Sequence, residues 1–586
     1  MADELQQAGL LHRHQFGSVK GRSAIDAVFR EVTRVQRCLS AGGKAGWGLW
    51  NVKGGFQNVK KDMVLRKLQE TKEGKRWSGW ISKFFRQRDF TIEWDGKIRR
   101  NGKTNVGVPQ GSPLSPVVFL IYMAPILQDM EQQVSEATGL DIEVPSYVDD
   151  IMACVLDKDG AENMKEVLKM VDKVVGTVAA KWDLPWEKEK HEEIVFNQGG
   201  VGSGKKKKRS EVEKVKWLGI IVDNTLDFDH HWKSRLAKAR QLLGSLNSMG
   251  SSQWGISPSS WRQLYTGMIR VVALWGAGLG WKGQKAWLKE FERLQYQALR
   301  KCTGATLGAS RERVNYIARV EDAKTILDST QVRYLARCAT DPATTSDLWD
   351  APPHLKKSTV ADRLLVQARV KSKEEMEWGG DIDRFELQET NLQCGPSTPK
   401  TTWEKAISLT KRTPIYTDDS RSEEAVVGGG YYLQQGQLGV RVGTMATVWD
   451  GEITGMNLGL SAAGNTEEKV IILSDSKAAI QAVINAGRRG KARTRDLAHL
   501  GHQIRRRQDL YGQDKVAVGW VKAHVGIEGN ERADKMAKMG AAKEGRDDVT
   551  EGGLRQWEKA RRRENRVRIG HLDATKWDRH TASTYT

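Results

Sequence analysis

The pattern of apolar and polar residues predicts a buried helix and an acidic hairpin in the early part of the chain. Apolar residues run from Val117 to Met123, and this run is too short and too broken by proline to cross a membrane, which favours a buried helix. The Gly-, Pro- and Ser-rich residues 107–116 before it predict a loop whose backbone can approach another polymer closely. Further on, a strand-like stretch ends in Tyr147-Val148-Asp149-Asp150, which predicts a hairpin with two adjacent acids at its tip.

A second pattern, far downstream, alternates short strands with helices. Strands are predicted at 415–420, 428–433, 438–442, 470–476 and 518–522. We expect the first of them to end in a turn, and a helix to follow the third over residues 450–460. The fourth is a buried type of strand that leads to Asp475, and we expect this acid also to cap the helix starting at Lys477.

The acids in both regions have a structural explanation as well as a chemical one. Aspartate is a favoured turn residue, and acids at strand ends or in the first turn of a helix are ordinary caps. Chemically, paired carboxylates hold divalent metal ions that clamp the attacking and leaving oxygens during phosphoryl transfer. Taken singly, each acid favours the structural explanation, so the choice depends on the surrounding residues.

The surroundings of the hairpin resemble the reverse transcriptases of non-LTR (LINE-type) retrotransposons, of the fungal type, with the motifs in the family's order. The segments that carry the resemblance are 15–27, which begins Gln-Phe-Gly-Ser, the Pro-Gln-Gly loop at 107–116, the hairpin at 147–150, and residues 186–196, 215–220, 226–230 and 262–277. The resemblance implies that Asp149 and Asp150 are catalytic metal ligands. It also implies that nucleic acid or nucleotide is bound by Tyr147, Gln110, Gly111 and Lys190.

One position departs from that family. Its first catalytic carboxylate lies in a strand of the form apolar-apolar-Asp-Val-Lys-Gly-x-Phe, and residues 49–56 of this chain have Asn51 in the place of the acid. Asparagine keeps a carbonyl oxygen but lacks the negative charge that a ligand of two divalent cations normally carries. We therefore expect Asn51 to be a degenerate acid position in a weak or inactive polymerase. An alignment slip and a family branch that tolerates Asn are the alternatives.

The downstream acids resemble those of the ribonuclease H family, because the strands, the helix and the His-Val-Gly-Ile-Glu-Gly-Asn-Glu-Arg-Ala-Asp stretch at 524–534 follow its order. The resemblance implies catalytic metal ligands at Asp418, Glu452, Asp475 and Asp534. It implies that His524 assists proton transfer or product release, since an ordinary histidine pKa of about 6.5 suits that task near neutrality. Asp419 stands where the family usually has Gly, and we expect little effect because Asp tolerates turn geometry.

These resemblances imply two Mg²⁺ ions in each active site, with Mn²⁺ as a substitute, and RNA, DNA and RNA–DNA hybrids as partners. The bulk charge fits, since 93 Lys and Arg residues against 73 Asp and Glu residues leave a net charge of +20. Five cysteines, far apart and without zinc spacing, argue for a reducing setting in the nucleus or cytoplasm. The chain starts without a secretion signal, and we expect no membrane segment. Other proteins of the same element are candidate partners, and the oligomeric state stays open.

The predicted architecture is multidomain, of α/β and α+β class, with a right-hand palm and thumb polymerase core followed by a ribonuclease H-like α/β domain. The predicted boundaries are 1–235 for partial fingers and palm, 236–345 for a helical thumb-like region, 346–412 for a connector, 413–543 for a ribonuclease H type 1 domain and 544–586 for a basic, partly disordered tail. The basic run Lys205–Arg209 is either a solvated insertion, a phosphate contact or a nuclear-import signal. The family has a fingers segment upstream and often continues downstream, so we expect truncation at both ends.

Three functions remain open from the sequence. The favoured one is an RNA–DNA hybrid ribonuclease joined to the RNA-directed DNA polymerase module of a retrotransposon, with the polymerase impaired. The second is a decayed relic of such an element that binds nucleic acid without polymerising. The third is a hybrid-cleaving nuclease whose polymerase module serves only as a substrate clamp.

Overall fold

A computed structural model describes the chain in several stretches: residues 2–19, 21–86, 88–104, 107–186, 191–196, 213–247, 256–338, 382–390, 392, 399–492, 494–545, 548–550 and 552–560. Lys190, the basic run Lys205–Arg209 and much of the predicted connector and tail lie outside these residues. Among the helices within them, none is long and apolar enough to cross a membrane.

Helices and strands are interspersed along the described residues. The helices are α1 (Ala2–Gln7), α2 (Ala24–Ser40), α3 (Lys61–Leu68), α4 (Lys72–Phe84), α5 (Ser115–Thr138), α6 (Met164–Lys181), α7 (Asp229–Asn247), α8 (Pro258–Leu264), α9 (Arg270–Leu274), α10 (Ala277–Gly280), α11 (Lys285–Thr303), α12 (Arg311–Ile317), α13 (Ala323–Cys338), α14 (Lys400–Leu409), α15 (Val448–Ala462), α16 (Lys477–Arg489), α17 (Arg495–Tyr511) and α18 (Glu528–Ala541). The strands are β1 (Lys44–Asn51), β2 (Arg88–Trp94), β3 (Lys97–Thr104), β4 (Asp141–Glu143), β5 (Ser146–Tyr147), β6 (Asp150–Asp157), β7 (Glu192–Phe196), β8 (Lys214–Trp217), β9 (Ile220–Asp223), β10 (Gln388–Glu389), β11 (Thr413–Arg421), β12 (Val427–Leu433), β13 (Gly436–Gly443), β14 (Val470–Ser474) and β15 (Val516–Trp520).

The chain divides into two compact units. The first takes its described residues from 1–244 and 269–287, and the second from 245–268, 288–349 and 363–586. The acidic hairpin lies in the first unit, and the downstream acids lie in the second.

The first unit is built on an antiparallel sheet in the order β4-β6-β1-β7, with β5 also paired to β6. Successive side chains of a strand point to opposite faces. Ile151 and Ala153 of β6 therefore join the apolar core formed with α5 and α6, whereas Cys154 on the alternate face lies near Glu31 of α2. Because helices cover both faces, the central strands are apolar almost throughout.

Helix α5 confirms the buried helix that the apolar run predicts, and it is considerably longer than that run. It begins at Ser115, directly after the Gly- and Pro-rich loop, with Pro116 in its first turn, where a missing backbone N–H costs no helical hydrogen bond. It ends at Thr138, where Gly139 adopts a left-handed conformation with a φ of 69°. Val117 to Met123 are all buried.

The second unit is built on a six-stranded sheet in the order β10-β15-β14-β11-β12-β13. The three strands β15, β14 and β11 run parallel, whereas β12 and β13 continue the sheet as an antiparallel meander. The first predicted strand ends in a turn, as expected, but β11 runs on to Arg421 and keeps its acids inside the ladder with β12, so that the turn follows at residues 422–425. The expected cap of α16 was wrong, because Ser476 rather than Asp475 accepts the hydrogen bond from Ala479 N.

Three consecutive glycines in β12 bring helices close to both faces of that strand. A side chain at Gly428 or Gly430 would collide with the backbone of Ala537 in α18, and one at Gly429 would collide with the carbonyl group of Gly451 in α15. Because alternate residues face opposite sides of the sheet, the glycines let both helices pack backbone to backbone against β12.

Candidate active sites

The hairpin between β5 and β6 is held in a strained turn by a buried glutamine. Val148 at its tip has a φ of 59°, a conformation that β-branched residues rarely adopt. The N–H of Val148 donates to Gln15 Oε1 over 3.1 Å, and Gln15 Nε2 donates to Ser146 Oγ over 3.0 Å. Gln15 therefore fixes the turn that presents Asp149 and Asp150. The sequence flagged the motif around Gln15 but did not assign this role to it.

Strand pairing brings Asn51 directly beside the hairpin acids. Asn51 is the last residue of β1 and pairs with Asp150, the first residue of β6. Asn51 Nδ2 donates a hydrogen bond to Asp150 Oδ1 over 3.0 Å. The register agrees with the interpretation that Asn51 occupies the place of an acid, and its amide occupies one oxygen of the Asp150 carboxylate.

An open cavity of about 410 Å³ lies next to this pair. Asn51 and Asp150 line it together with Glu192 and with the β8–β9 turn at Trp217 and Leu218. The cavity is polar enough for a hydrated ligand and large enough for part of a nucleotide or a strand end.

The Pro-Gln-Gly loop is tied to the segment after β1. Val108 N donates to Phe56 O over 2.9 Å, and the ring of Phe56 stacks on Phe119 of α5 at a centroid distance of 5.2 Å. Gln110 and Gly111 lie on the exposed part of that loop. Both are therefore available to a ligand, whereas Lys190 lies outside the described residues.

In the second unit, parallel strand pairing and two helices gather the downstream acids. Asp418 lies in β11, and Asp475 directly follows β14, whose last residue, Ser474, pairs with Thr417. Glu452 comes from α15, which packs on β11 and β12. Carboxylate oxygens of Asp418, Asp419 and Glu452 all lie within 4.8 Å of one another.

The fourth acid, Asp534, comes from α18 on the other side of β12 and lies beside the histidine loop. Ligand atoms of Asp534, Glu531 and His524 lie within 4.8 Å of one another. His524 is exposed and adopts a left-handed φ of 53°, and Asp534 also accepts a hydrogen bond from Lys538 over 2.6 Å. The structure thus brings His524 close to Asp534 and adds Glu531, which the sequence did not single out.

Burial and mutual repulsion raise the pKa values of three of these acids, Asp418, Asp419 and Glu452. Burial, followed by the charge of Asp475, raises the pKa of Asp418 to about 8, and the same two causes raise the pKa of Asp419 to about 7. Burial and the charges of Asp418 and Asp419 raise the pKa of Glu452 well above its usual range. Thr417 Oγ1 donates to Glu452 Oε2 over 3.2 Å.

The donor set fits a divalent metal ion. Asp418 Oδ2 and Glu452 Oε1 are buried and have no hydrogen-bond partner within the described part of the chain. Asp418 is 5 % exposed and Glu452 is 0 % exposed, so water does not compensate them. Hard carboxylate oxygens are the ligands that Mg²⁺ and Mn²⁺ prefer. The hairpin of the first unit offers fewer of them, because Asp149 and Asp150 stand beside the amide of Asn51 instead of a third acid.

Two family models each match a part of the chain. A family model of reverse transcriptases (RNA-dependent DNA polymerases) matches residues 1–222, and a model of RNase H matches residues 410–542. These families generally use divalent metal ions and bind RNA, DNA and RNA–DNA hybrids.

Several curated relatives belong to mobile elements of fruit flies. The RNA-directed DNA polymerase of the mobile element jockey from Drosophila funebris is 25% identical over 239 residues, which cover 38% of this chain and 25% of the relative. A 115 kDa protein in the type-1 retrotransposable element R1DM of Drosophila melanogaster is 25% identical over 277 residues, covering 45% of this chain and 25% of the relative. The chain thus spans about a quarter of the length of these relatives.

Solved structures are more distant. A telomerase from Candida albicans in complex with telomeric RNA shares 11% identity at a TM-score of 0.32, over 63% of this chain and 54% of that one. The foamy viral protease-reverse transcriptase in complex with an RNA/DNA hybrid shares 12% identity at a TM-score of 0.21, over 85% of this chain and 67% of that one. Residues 1–222 thus carry a reverse transcriptase domain and residues 410–542 an RNase H domain, and the fly relatives are consistent with these domains coming from a non-LTR, LINE-type retrotransposon.

Proposed function

We propose that the RNase H domain hydrolyses the RNA strand of RNA–DNA hybrids, using two divalent metal ions. Mg²⁺ is the expected ion and Mn²⁺ a substitute. The observation that carries the proposal is the pair of buried carboxylate oxygens, one on Asp418 and one on Glu452, that have no hydrogen-bond partner among the described residues. Such oxygens are costly unless a proton or a cation compensates them.

Each residue of the site has a distinct part in this reaction. Two bound ions would activate the attacking water and neutralise charge on the leaving oxygen. Asp418, Glu452, Asp475 and Asp534 are the residues that would hold them. His524, on an exposed loop beside Asp534, is suited to carry a proton to or from the leaving strand. The 2′-OH groups and phosphates of the hybrid, rather than its base sequence, would be recognised.

The test is cleavage of a labelled RNA–DNA hybrid by the full chain in Mg²⁺. Asp475→Asn should abolish cleavage, because it removes a charged ligand while keeping the side-chain shape. The matched control is Asp509→Asn, which changes an exposed acid of the same domain that pairs with Arg505 over 2.8 Å. Cleavage that survives in Asp475→Asn, or that is equally lost in the control, would contradict the two-metal assignment.

For the reverse transcriptase domain we propose that polymerisation is impaired. The supporting observation is the hydrogen bond from Asn51 to Asp150, since it puts a neutral amide where a third charged ligand would stand. Asp149 and Asp150 would still bind metal, and Gln110, Gly111, Tyr147 and Lys190 would still contact nucleic acid or nucleotide.

A second candidate function follows from the same observation, namely that the domain binds nucleic acid without extending it. The net charge of +20 favours contact with phosphates. The affinity for a hybrid should then fall steeply with salt, because each phosphate contact releases counterions. An affinity that changes little with salt concentration would contradict this role.

We propose that both domains act inside the cell, since Cys38, Cys154 and Cys302 are all free thiols.

A further inference from the structure

The RNase H centre of this chain contains an acid beyond the four that the family resemblance implies. Asp419 follows Asp418 in β11, at a position where the family usually has Gly, and the sequence suggests little consequence. In the structure, however, a carboxylate oxygen of Asp419 lies within 4.8 Å of oxygens of both Asp418 and Glu452. The side chain is only half-buried, so it can reach a ligand in the cleft.

A second observation on the same cluster is what a cation site would require. Asp418 Oδ2 and Glu452 Oε1 lie in the same cluster, both on side chains more than nine-tenths buried, and neither has a partner among the described residues. A cation is the group that would compensate several buried carboxylates at once.

The chain also provides room for the additional side chain. Gly451 of α15 lies directly against Asp419, and a Cβ atom on Gly451 would come within 2.8 Å of Gly428 O and 2.9 Å of Asp419 Cβ, so the close packing of α15 on β12 requires a glycine there as well. Any larger residue at 451 would therefore push against the acid. Because Gly451 immediately precedes Glu452, the helix that delivers one metal ligand leaves space for Asp419 next to it.

We propose that Asp419 is a fifth carboxylate ligand of the metal centre and strengthens its binding of divalent ions before substrate arrives. The inference rests on the proposed nuclease function and deepens it. Affinity for hard cations rises with the number of charged ligands in a site. A centre with five carboxylates should therefore load Mg²⁺ at lower concentrations than the same centre with Gly at residue 419.

The test is calorimetric titration of the full-length chain with Mg²⁺ in the absence of nucleic acid. Asp419→Asn keeps the size of the side chain, Asp419→Gly installs the residue usual in the family, and Asp509→Asn is the charge-matched control. Both Asp419 variants should raise the Kd for Mg²⁺ about tenfold or more, since changes around metal ligands typically cost 10- to 100-fold. The control should bind like the unaltered chain.

Thermal unfolding separates a ligand from a residue that merely supports the fold. If Asp419 is a metal ligand, Mg²⁺ should raise the Tm of Asp419→Asn by less than it raises the Tm of the unaltered chain. This holds even if the Tm of the variant in EDTA is unchanged or higher. A purely structural residue would lower Tm equally with and without Mg²⁺, and this result would overturn the proposal, as would a Kd within twofold of the unaltered chain. If the unaltered chain binds Mg²⁺ but cleaves no hybrid, the proposed function fails, whereas a weakened Kd in both variants still supports the assignment of Asp419.

Discussion

Restoring a carboxylate at residue 51 tests the polymerase site most directly. In Asn51→Asp, two carboxylates would face each other across the 3.0 Å that now separates Asn51 Nδ2 from Asp150 Oδ1. At an effective dielectric of about 20 their repulsion is about 5 kcal/mol before solvent screening reduces it. The metal-free variant should therefore unfold at a lower temperature than the unaltered chain, and Mg²⁺ should stabilise it more.

The same substitution should raise polymerase activity. If the third charged ligand contributes about 3 kcal/mol to the transition state, the rate should rise about 100-fold, because each ~1.4 kcal/mol is a factor of ten. The assay is primer extension on an RNA template with Mg²⁺, where the unaltered chain should stay near background. Asn163→Asp is the matched control, since it adds the same charge at the N-terminus of α6, where Asp caps a helix as well as Asn.

Two results would refute this reasoning. The unaltered chain could extend primers as well as Asn51→Asp, and the amide would then be an adequate ligand. Alternatively, the variant could show neither extension nor any additional stabilisation by Mg²⁺, and the charge at residue 51 would then not be what limits the site.

Three further predictions concern the RNase H domain. In EDTA the Tm of this domain should fall as the pH rises from about 5 to about 8. The reason is that Asp418 has a pKa of about 8 in the folded domain, whereas the unfolded residue loses its proton near pH ~4. A Tm that does not change with pH, measured by differential scanning fluorimetry, would contradict this. Gly439→Ala should lower the free energy of unfolding by about 2 kcal/mol, because the new methyl group overlaps the backbone of α18. Gly436→Ala is the control and should leave the free energy of unfolding unchanged, because the nearest atom to its methyl group is 3.9 Å away. Urea titration of both variants measures the difference. His524→Ala should slow multiple-turnover cleavage more than the first turnover if the loop beside Asp534 assists product release, and equal slowing of both would assign His524 to the chemical step.

The element pattern of both domains could be predicted from the sequence because burial dictates it. The apolar run before the hairpin and the short strands around the downstream acids have few other ways to leave water. Ends of elements were less predictable. Asp418 and Asp419 suit a turn by residue type, yet pairing with the small residues of β12 keeps β11 extended through both of them.

The sequence places the downstream acids in elements that the structure brings together. Asp418 and Glu452 lie close to each other, and Asp475 follows the strand beside β11, whereas their role as metal ligands stays a prediction. Contacts that depend on side-chain geometry were not predictable. Gln15 forms hydrogen bonds with Val148 and Ser146 because residues distant in the sequence come together in one buried region. No local sequence pattern indicates these bonds.

The three adjacent glycines of β12 make the nuclease fragile in an evolutionary sense. Their neighbours are backbone atoms of the two helices that carry Glu452 and Asp534, so no change of rotamer can make room for a side chain. Any missense change in either of the first two bases of one of these glycine codons would therefore displace a helix that delivers an acid. A copy of the element that escapes selection would lose hybrid cleavage through these codons as readily as through those of the acids themselves.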